Sequence, residues 1–191
     1  ILEAIHPDLE WNKEISDLIH EAPEKVIPEE WGIEKDGFGI PYRRLLTYLL
    51  WLMRTPRPRQ AADRLKLPGD VRELILGAAK LDRMLPDFRD LTPSSAVRTL
   101  ERIPNLAIYA VYLRTGKTGL KGVLSRYLSS WQHVESTING ADLQEMGLTP
   151  GPLFSELLTR LRSARLDGEI DSDQGEQELL ERLLKERGIE F

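Results

Sequence analysis

The segment Ile138–Ile170 constrains the fold of this chain most, because residues that stop and start helices follow each other in it at short spacing. It reads INGADLQEMGLTPGPLFSELLTRLRSARLDGEI. An Asn-Gly pair favours a helix start, Gly-x-x-Pro-Gly-Pro interrupts the helix, and Leu-Asp-Gly ends a longer one. The segment therefore predicts a short helix followed by a longer helix, each with defined ends.

The short helix is expected over Gly140–Met146. Asn139 can cap it, because the side-chain oxygen of asparagine can accept the free backbone N–H of Asp142. Gly147 is expected to end it, since a positive φ costs glycine little.

The Pro-Gly-Pro turn admits a structural role and a binding role. Thr149 can cap the longer helix, with Pro150 in its first turn. A helix start can also bind phosphate, but Pro150 and Pro152 have no N–H, so only Gly151 and Leu153 could donate. We therefore interpret the turn as structural.

Arg165 is unusual because the helical repeat places it near the apolar side of its helix. Its charge must reach solvent or pair with a carboxylate, for which Asp142 and Asp167 are the candidates. We prefer a structural ion pair to a contact with a bound polyanion. Gly168 is expected to end this helix, and Ser172 to start the last one.

The rest of the chain also has helical periodicity, and no segment alternates with a sustained period of two. Residues 40–54 and 106–113 are apolar nearly all round, which is typical of helices buried in a bundle. A helix over 68–85 and a helix capped by Thr118 each have one apolar stripe. Shorter helices are expected near 8–20, over 59–66 and after Thr92-Pro93. We predict an all-α bundle of about eight to ten helices without a sheet.

The net charge of −5 is unevenly distributed. Residues 1–40 carry 3 basic and 11 acidic side chains, residues 41–133 carry 17 and 7, and residues 134–191 carry 6 and 13. A basic middle between acidic ends can mark a polyanion site, although solvated arginine-rich helix faces give the same pattern. We predict a helical body over 1–137, basic from about 41 to 133, and a helical tail over 138–191.

The basic middle contains two groups of candidate RNA-binding residues. One group lies in a loop where prolines limit the entropy lost on binding. The other lies along or just before the helix that Thr118 begins. Such side chains can contact phosphates and ribose hydroxyls without reading bases, although every one of them could simply be solvated. The candidates are Arg54, Arg57, Arg59, Lys117, Lys121 and Arg126.

The tail motif resembles the C-terminal tail of bacterial tRNA nucleotidyltransferases, the family shared with poly(A) polymerases. That tail reads approximately Asn-Gly-x-Asp-Leu, Gly-x-x-Pro-Gly-Pro and Leu-Asp-Gly-x-Ile. The resemblance implies a body and tail that grip the acceptor stem and elbow of tRNA while a head and neck add CCA or A. The matching residues are Asn139, Gly140, Asp142, Leu143, Gly147, Pro150, Gly151, Pro152, Leu166, Asp167, Gly168 and Ile170.

The resemblance also implies catalytic motifs that this sequence lacks. The family head has a Gly-Ser turn followed by Asp-x-Asp, whose carboxylates hold two Mg²⁺ ions, and the neck has Glu-Asp-x-x-Arg for nucleotide selection. The Asp171-Ser172-Asp173 run has the spacing but no Gly-Ser turn, so we interpret it as a helix start. We assign no catalytic residue here, and expect Mg²⁺ and CTP or ATP only in a catalytic head outside this chain.

The remaining sequence features exclude other sites and indicate a compartment. The histidines His6, His20 and His133 lack metal-ligand spacing, so we assign no metal site. The chain has no cysteine, no apolar run near the ~20 residues of a membrane span and no basic leader, so we expect a cytoplasmic location away from membranes. It begins with Ile1 rather than Met, so we expect a longer parent protein, a nucleotidyltransferase.

Two functions of different classes follow. The first is the non-catalytic C-terminal RNA-binding portion of a tRNA nucleotidyltransferase-like enzyme, CCA- or A-adding, that contacts the backbone of tRNA or another structured RNA. The second is a helical protein-interaction or dimerisation domain without RNA binding, in which the arginines meet an acidic partner or the chain forms a homodimer.

Overall fold

The computed structural model describes residues 12–189, and this part of the chain is all-α. It contains ten α-helices and no strand, which confirms the predicted helical bundle. The helices are α1 (Lys13–Glu21), α2 (Tyr42–Leu52), α3 (Pro58–Arg64), α4 (Gly69–Met84), α5 (Pro93–Leu100), α6 (Asn105–Arg114), α7 (Thr118–Ser129), α8 (Gly140–Glu145), α9 (Pro152–Leu166) and α10 (Asp173–Glu186). Short 3₁₀ turns lie at Ala22–Glu24, Glu29–Trp31, Leu85–Asp90 and Trp131–His133.

The described residues form two compact units. The first unit comprises residues 12–90 and 98–129, and the second comprises residues 91–97 and 130–189. The predicted division into body and tail between residues 137 and 138 stays a prediction. The expected start of the first helix near residue 8, and His6, lie outside the described residues.

The core of the first unit is built from α2, α4 and α6, which pack against one another. In α2 the leucines Leu45, Leu46, Leu49 and Leu50 have no exposed surface. They lie within an arc of about 140° of the helix surface, so one side of α2 faces the core. Arg43 and Arg44 are exposed, so the expectation of a helix buried nearly all round is wrong for the first turn of α2. In α6 every residue from Leu106 to Val111 is buried. None of the described helices is long and apolar enough to cross a membrane.

The core of the second unit comes from the helices that the tail motif delimits. Leu143 of α8 is fully buried against an apolar cluster to which α9 and α10 contribute. The other buried members are Phe154, Leu157, Leu161, Ala164, Leu179, Leu180 and Leu184. Each helix presents one apolar stripe to this cluster, which is the arrangement that amphipathic spacing predicts.

The predicted cap at Asn139 is confirmed. Its Oδ1 accepts the N–H of Ala141 at 2.8 Å and that of Asp142 at 3.4 Å. The Asp142 carboxylate accepts the N–H of Asn139 at 2.7 Å, which completes a capping box. Gly147 follows α8 at φ +83°, and Gly168 follows α9 at φ +72°, so both glycines occupy the left-handed positions where helices commonly end.

Two predicted helix starts are wrong. The longer tail helix begins at Pro152 with Gly151 as its capping residue, not at Thr149 and Pro150. A residue before proline is disfavoured in the helical region, so Pro152 keeps Gly151 extended and delays the helix. Thr118 lies inside the first turn of α7 rather than capping it, because the Lys121 N–H donates to the Lys117 carbonyl at 3.0 Å.

Arg165 forms the expected ion pair, but Asp142 and Asp167 are not its partners. Its guanidinium donates to the carboxylates of Glu176 and Asp173, both from α10. Asp142 is held by the cap of α8. The Asp167 carboxylate instead accepts the backbone N–H and hydroxyl of Ser94 at 2.8 and 2.7 Å.

Glu176 is the fully buried charge at the centre of this network, with no exposed surface. Its carboxylate also accepts the Ser136 hydroxyl, the Thr137 hydroxyl at 2.9 Å and the Ile138 N–H at 3.1 Å. Burial alone would raise the pKa of Glu176, but these hydrogen bonds and Arg165 together hold it below its usual value. The network holds the segment before α8, residues 136–138, against α9 and α10.

Replacing Glu176 by glutamine should destabilise the second unit strongly. The substitution removes the buried negative charge and leaves Arg165 with one carboxylate partner, so we expect a loss of about 2–4 kcal/mol in the free energy of unfolding. Denaturant unfolding measures it. The control is Glu181→Gln on the same helix, an exposed position that should change stability by about 0.5 kcal/mol or less. Equal losses in the two variants would contradict a stabilising role for the network.

The stabilisation by Glu176 should depend on pH. The pKa of Glu176 is lower in the folded chain than the value of about 4.3 for an unfolded glutamate. Its contribution is therefore complete above about pH 4.3 and is lost as the pH falls through the folded-state pKa. The stability difference between the wild type and Glu176→Gln should stay constant from neutral pH to about pH 5 and shrink below it. Unfolding curves across this range measure it, and a difference that grows on acidification would contradict the assignment.

Candidate nucleic-acid interface

The predicted basic loop and the start of α7 lie at the same end of the first unit. Arg114 is the last residue of α6, and its Nη1 donates to the carbonyl oxygen of Leu50 at 2.6 Å. Leu50 belongs to the last turn of α2. This hydrogen bond joins the C-terminal ends of the two helices, so the loops that follow them leave the unit side by side.

Arg54 lies just after α2 and is anchored on α4. Its Nε and Nη2 donate to the carboxylate of Asp82 at 3.1–3.3 Å. The Arg54 side chain remains 43% exposed, whereas that of Asp82 is only 16% exposed. The carboxylate therefore orients the arginine and offsets part of its charge, while one side of the guanidinium stays accessible to solvent.

Arg57 and Arg59 flank Pro58, the first residue of α3. Pro58 is buried and both arginines are exposed. In the described part of the chain, neither arginine has an ion pair or side-chain hydrogen bond. Because the proline between them is packed into the unit, the two cations are held at the surface on a fixed stretch of backbone.

The predicted residues of α7 do not form one surface. Lys117 is exposed immediately before the helix. Lys121 follows about one turn later, rotated by about 40° about the helix axis relative to Lys117. The Lys121 Nζ lies 4.6 Å from the ring centroid of Tyr112, so its charge rests on an aromatic face. Arg126 is exposed but about 140° round from Lys121. The structure thus groups Lys117 with Lys121 and separates Arg126.

Arg114 was missed by the sequence interpretation, which treated residues 106–113 as a buried helix and stopped there. It is half-buried, and its Nε has no hydrogen-bond partner within the described residues. Burial and then the nearby charge of Arg54 lower the pKa of Arg114, and Asp82 and Glu14 oppose that shift. A cation at the end of a predicted apolar helix is the sequence signal that could have identified it.

The charges at this end of the first unit favour an anionic ligand. The C-terminal ends of α2 and α6 carry partial negative charge, which Arg54 and Arg114 offset. Arg57, Arg59 and Lys117 then add positive charge at the surface. The acidic groups that face Arg114 are Asp82 and Glu14. The five cations named here outnumber the two carboxylates, so these groups together carry a net positive charge.

The acidic run at the start of α10 does not form a metal site. Ser172 caps α10 by accepting the Gly175 N–H at 3.1 Å, and Asp173 is paired with Arg165. Across residues 12–189, no three His, Asp or Glu side chains come together in a way that could hold a metal ion. The interpretation of this run as a helix start is confirmed by the Ser172 cap.

Comparison with known proteins gives one partial likeness. An A-adding tRNA nucleotidyltransferase from Geobacter sulfurreducens is 29% identical to this chain over 80 residues. The matched stretch is 42% of this chain and 9% of the length of that relative. No protein-family model and no solved structure matches the chain. The likeness supports a relation to this class of enzyme over that stretch, and the contacts of individual residues with RNA stay predictions.

Replacing Arg114 by glutamine should destabilise the first unit, because the charged hydrogen bond to Leu50 is lost and the ends of α2 and α6 are no longer joined. We expect a decrease of about 1.5–3 kcal/mol in the free energy of unfolding, the range for hydrogen bonds to charged groups. Denaturant unfolding measures it. The control is Arg102→Gln, an exposed position that should stay within about 0.5 kcal/mol of the wild type. A loss no larger than that of the control would contradict the role given to Arg114.

Proposed function

We propose that this chain is the non-catalytic RNA-binding portion of a tRNA nucleotidyltransferase-like enzyme, CCA- or A-adding, and that it contacts the sugar-phosphate backbone of tRNA. The observation that carries the proposal is the basic end of the first unit, where Arg114 joins the C-terminal ends of α2 and α6 and the chain that follows these helices carries Arg57, Arg59 and Lys117. The tail motif and the partial likeness to an A-adding tRNA nucleotidyltransferase support the choice of tRNA.

The geometry suits backbone contact better than recognition of bases. Guanidinium groups donate in a planar fork that matches phosphate oxygens, and Lys117 adds a point charge. Double-helical RNA is contacted mostly at ribose hydroxyls and phosphates across its wide minor groove, because side chains cannot read bases in its deep, narrow major groove. A cluster of exposed cations at one end of a helical unit is therefore suited to an RNA stem of any sequence.

Catalysis would belong to another part of the parent enzyme. The described residues contain no cluster of carboxylates suited to two Mg²⁺ ions. Under this proposal, a separate head binds Mg²⁺ with CTP or ATP, while this chain holds the RNA so that its 3′ end reaches that head. Its contribution to the reaction is then positioning of the substrate.

Removing three cations from the basic end should weaken binding of a tRNA minihelix. The variant Arg57→Gln/Arg59→Gln/Lys117→Gln changes exposed positions only, so stability should change little. Each lost phosphate contact should reduce the slope of log K against log salt by about 0.7–0.9. We expect affinity at low salt to fall on the order of tenfold or more, measured by fluorescence anisotropy over a salt titration.

The matched control is Lys25→Gln/Arg44→Gln/Lys185→Gln. It removes the same charge from exposed positions that have no ion pair within residues 12–189, and Arg44 lies at the opposite end of α2 from Arg54. The control should retain most of the affinity and of the salt slope. Equal losses in the two variants would indicate general electrostatic attraction. No binding at low salt would favour the alternative, a helical protein-interaction or dimerisation domain.

A further inference from the structure

The second unit contains a groove that the proposed RNA interface does not use. It has a volume of about 630 Å³ and is lined by the chain before α8, by α8 itself and by one side of α10. The apolar side chains of Ile138 and Met146 contribute to its surface. Both are only partly buried on the apolar core of the unit, so some of their apolar surface is open to the groove.

Four carboxylates surround this apolar surface, and no basic residue is among the described residues that line the groove. Asp142 and Asp173 are partly engaged, the first in the cap of α8 and the second with Arg165. Glu145 and Glu181 are exposed, and their carboxylates have no ion pair or hydrogen bond in the described part of the chain. Two negative charges at the rim are therefore uncompensated.

The arginines of the second unit are committed elsewhere. Arg160 and Arg182 pair with Glu169, and Arg187 pairs with Glu156. Arg165 is held by Asp173 and Glu176. Arg162 donates to the carbonyl oxygen of Val134 at 2.7 Å. In the described part of the chain, none of these arginines pairs with Glu145 or Glu181, so both carboxylates keep their charge at the rim of the groove.

We propose that this groove binds a basic, partly apolar peptide segment of another protein. An apolar side chain of that segment would cover Ile138 and Met146, and flanking lysines or arginines would approach Glu145 and Glu181. Charge complementarity selects this partner, since the phosphates of an RNA would be repelled by the same carboxylates. The apolar surface distinguishes the peptide from a small polycation, which would gain nothing from it.

The probe is a fluorescently labelled basic peptide that contains leucines, and binding to the full chain is measured by anisotropy. The test variant is Glu145→Lys/Glu181→Lys, which reverses charge at two exposed rim positions. The matched control is Glu135→Lys/Glu186→Lys, which makes the same change at exposed positions outside the groove. Thermal unfolding of each variant checks that its fold is retained.

The test variant should lose on the order of tenfold or more in affinity, and the control should change by about twofold or less. A peptide with serine in place of leucine should bind the wild type more weakly than the leucine peptide. Binding of the tRNA minihelix should not weaken in the test variant, which separates this site from the RNA interface.

Several results would overturn the proposal. Equal losses of affinity in the two variants would show that only the overall charge of the chain matters. Equal affinity for the leucine and serine peptides would show that the apolar surface does not contribute to binding. If spermine displaced the labelled peptide as effectively as unlabelled peptide does, the groove would be a site for small polycations. Self-association of the chain that only Glu145→Lys/Glu181→Lys abolishes, seen by analytical ultracentrifugation, would make a second copy the occupant.

Discussion

The hydrogen bond from Arg114 to the carbonyl oxygen of Leu50 is the interaction on which the basic end of the first unit depends. It joins the C-terminal ends of two central helices that would otherwise present carbonyl groups and partial negative charge to each other. Arg114 is half-buried and has Arg54 as a neighbour, so desolvation and charge repulsion both disfavour its charged form. The nearby carboxylates Asp82 and Glu14 offset that cost. The contact fixes the ends of α2 and α6, and the segments that carry the exposed cations begin directly after these ends.

The second unit is organised by a different polar interaction. Glu176 is a buried carboxylate in a core otherwise made of leucine, phenylalanine and alanine side chains. Its hydrogen bonds reach the chain before α8, and Arg165 of α9 completes its neutralisation. A buried ion pair contributes less to stability than an apolar pair of similar volume would, but losing one partner is expensive. The network therefore favours one arrangement of α8, α9 and α10.

The all-α fold and most helix ends could be predicted from the sequence because they depend on local chemistry. The cap at Asn139 and the positive φ of Gly147 and Gly168 follow from neighbours a few residues away. The start of α9 was placed wrongly because Pro150 and Pro152 satisfy the same local rule, and only the restriction on the residue before Pro152 decides between them.

The partners of the charged residues could not be predicted in this way. Arg165 pairs with Glu176, a residue 11 positions away whose burial is set by the packing of α10. Asp167 pairs with Ser94, 73 positions away in the chain. Likewise, the spacing of basic residues in α7 suggested one group, but the helix turns Arg126 away from Lys121. Long-range contacts of this kind depend on the folded core.

Hydrogen–deuterium exchange of the chain with and without a tRNA minihelix tests the central claim most directly, because it locates the bound RNA along the backbone. The account predicts slower amide exchange in residues 54–60 and 115–121 at saturating RNA and low salt. It predicts little change in residues 140–146, of which Asp142, Glu145 and Met146 line the acidic groove. Protection confined to the second unit, or none at saturating RNA, would contradict it.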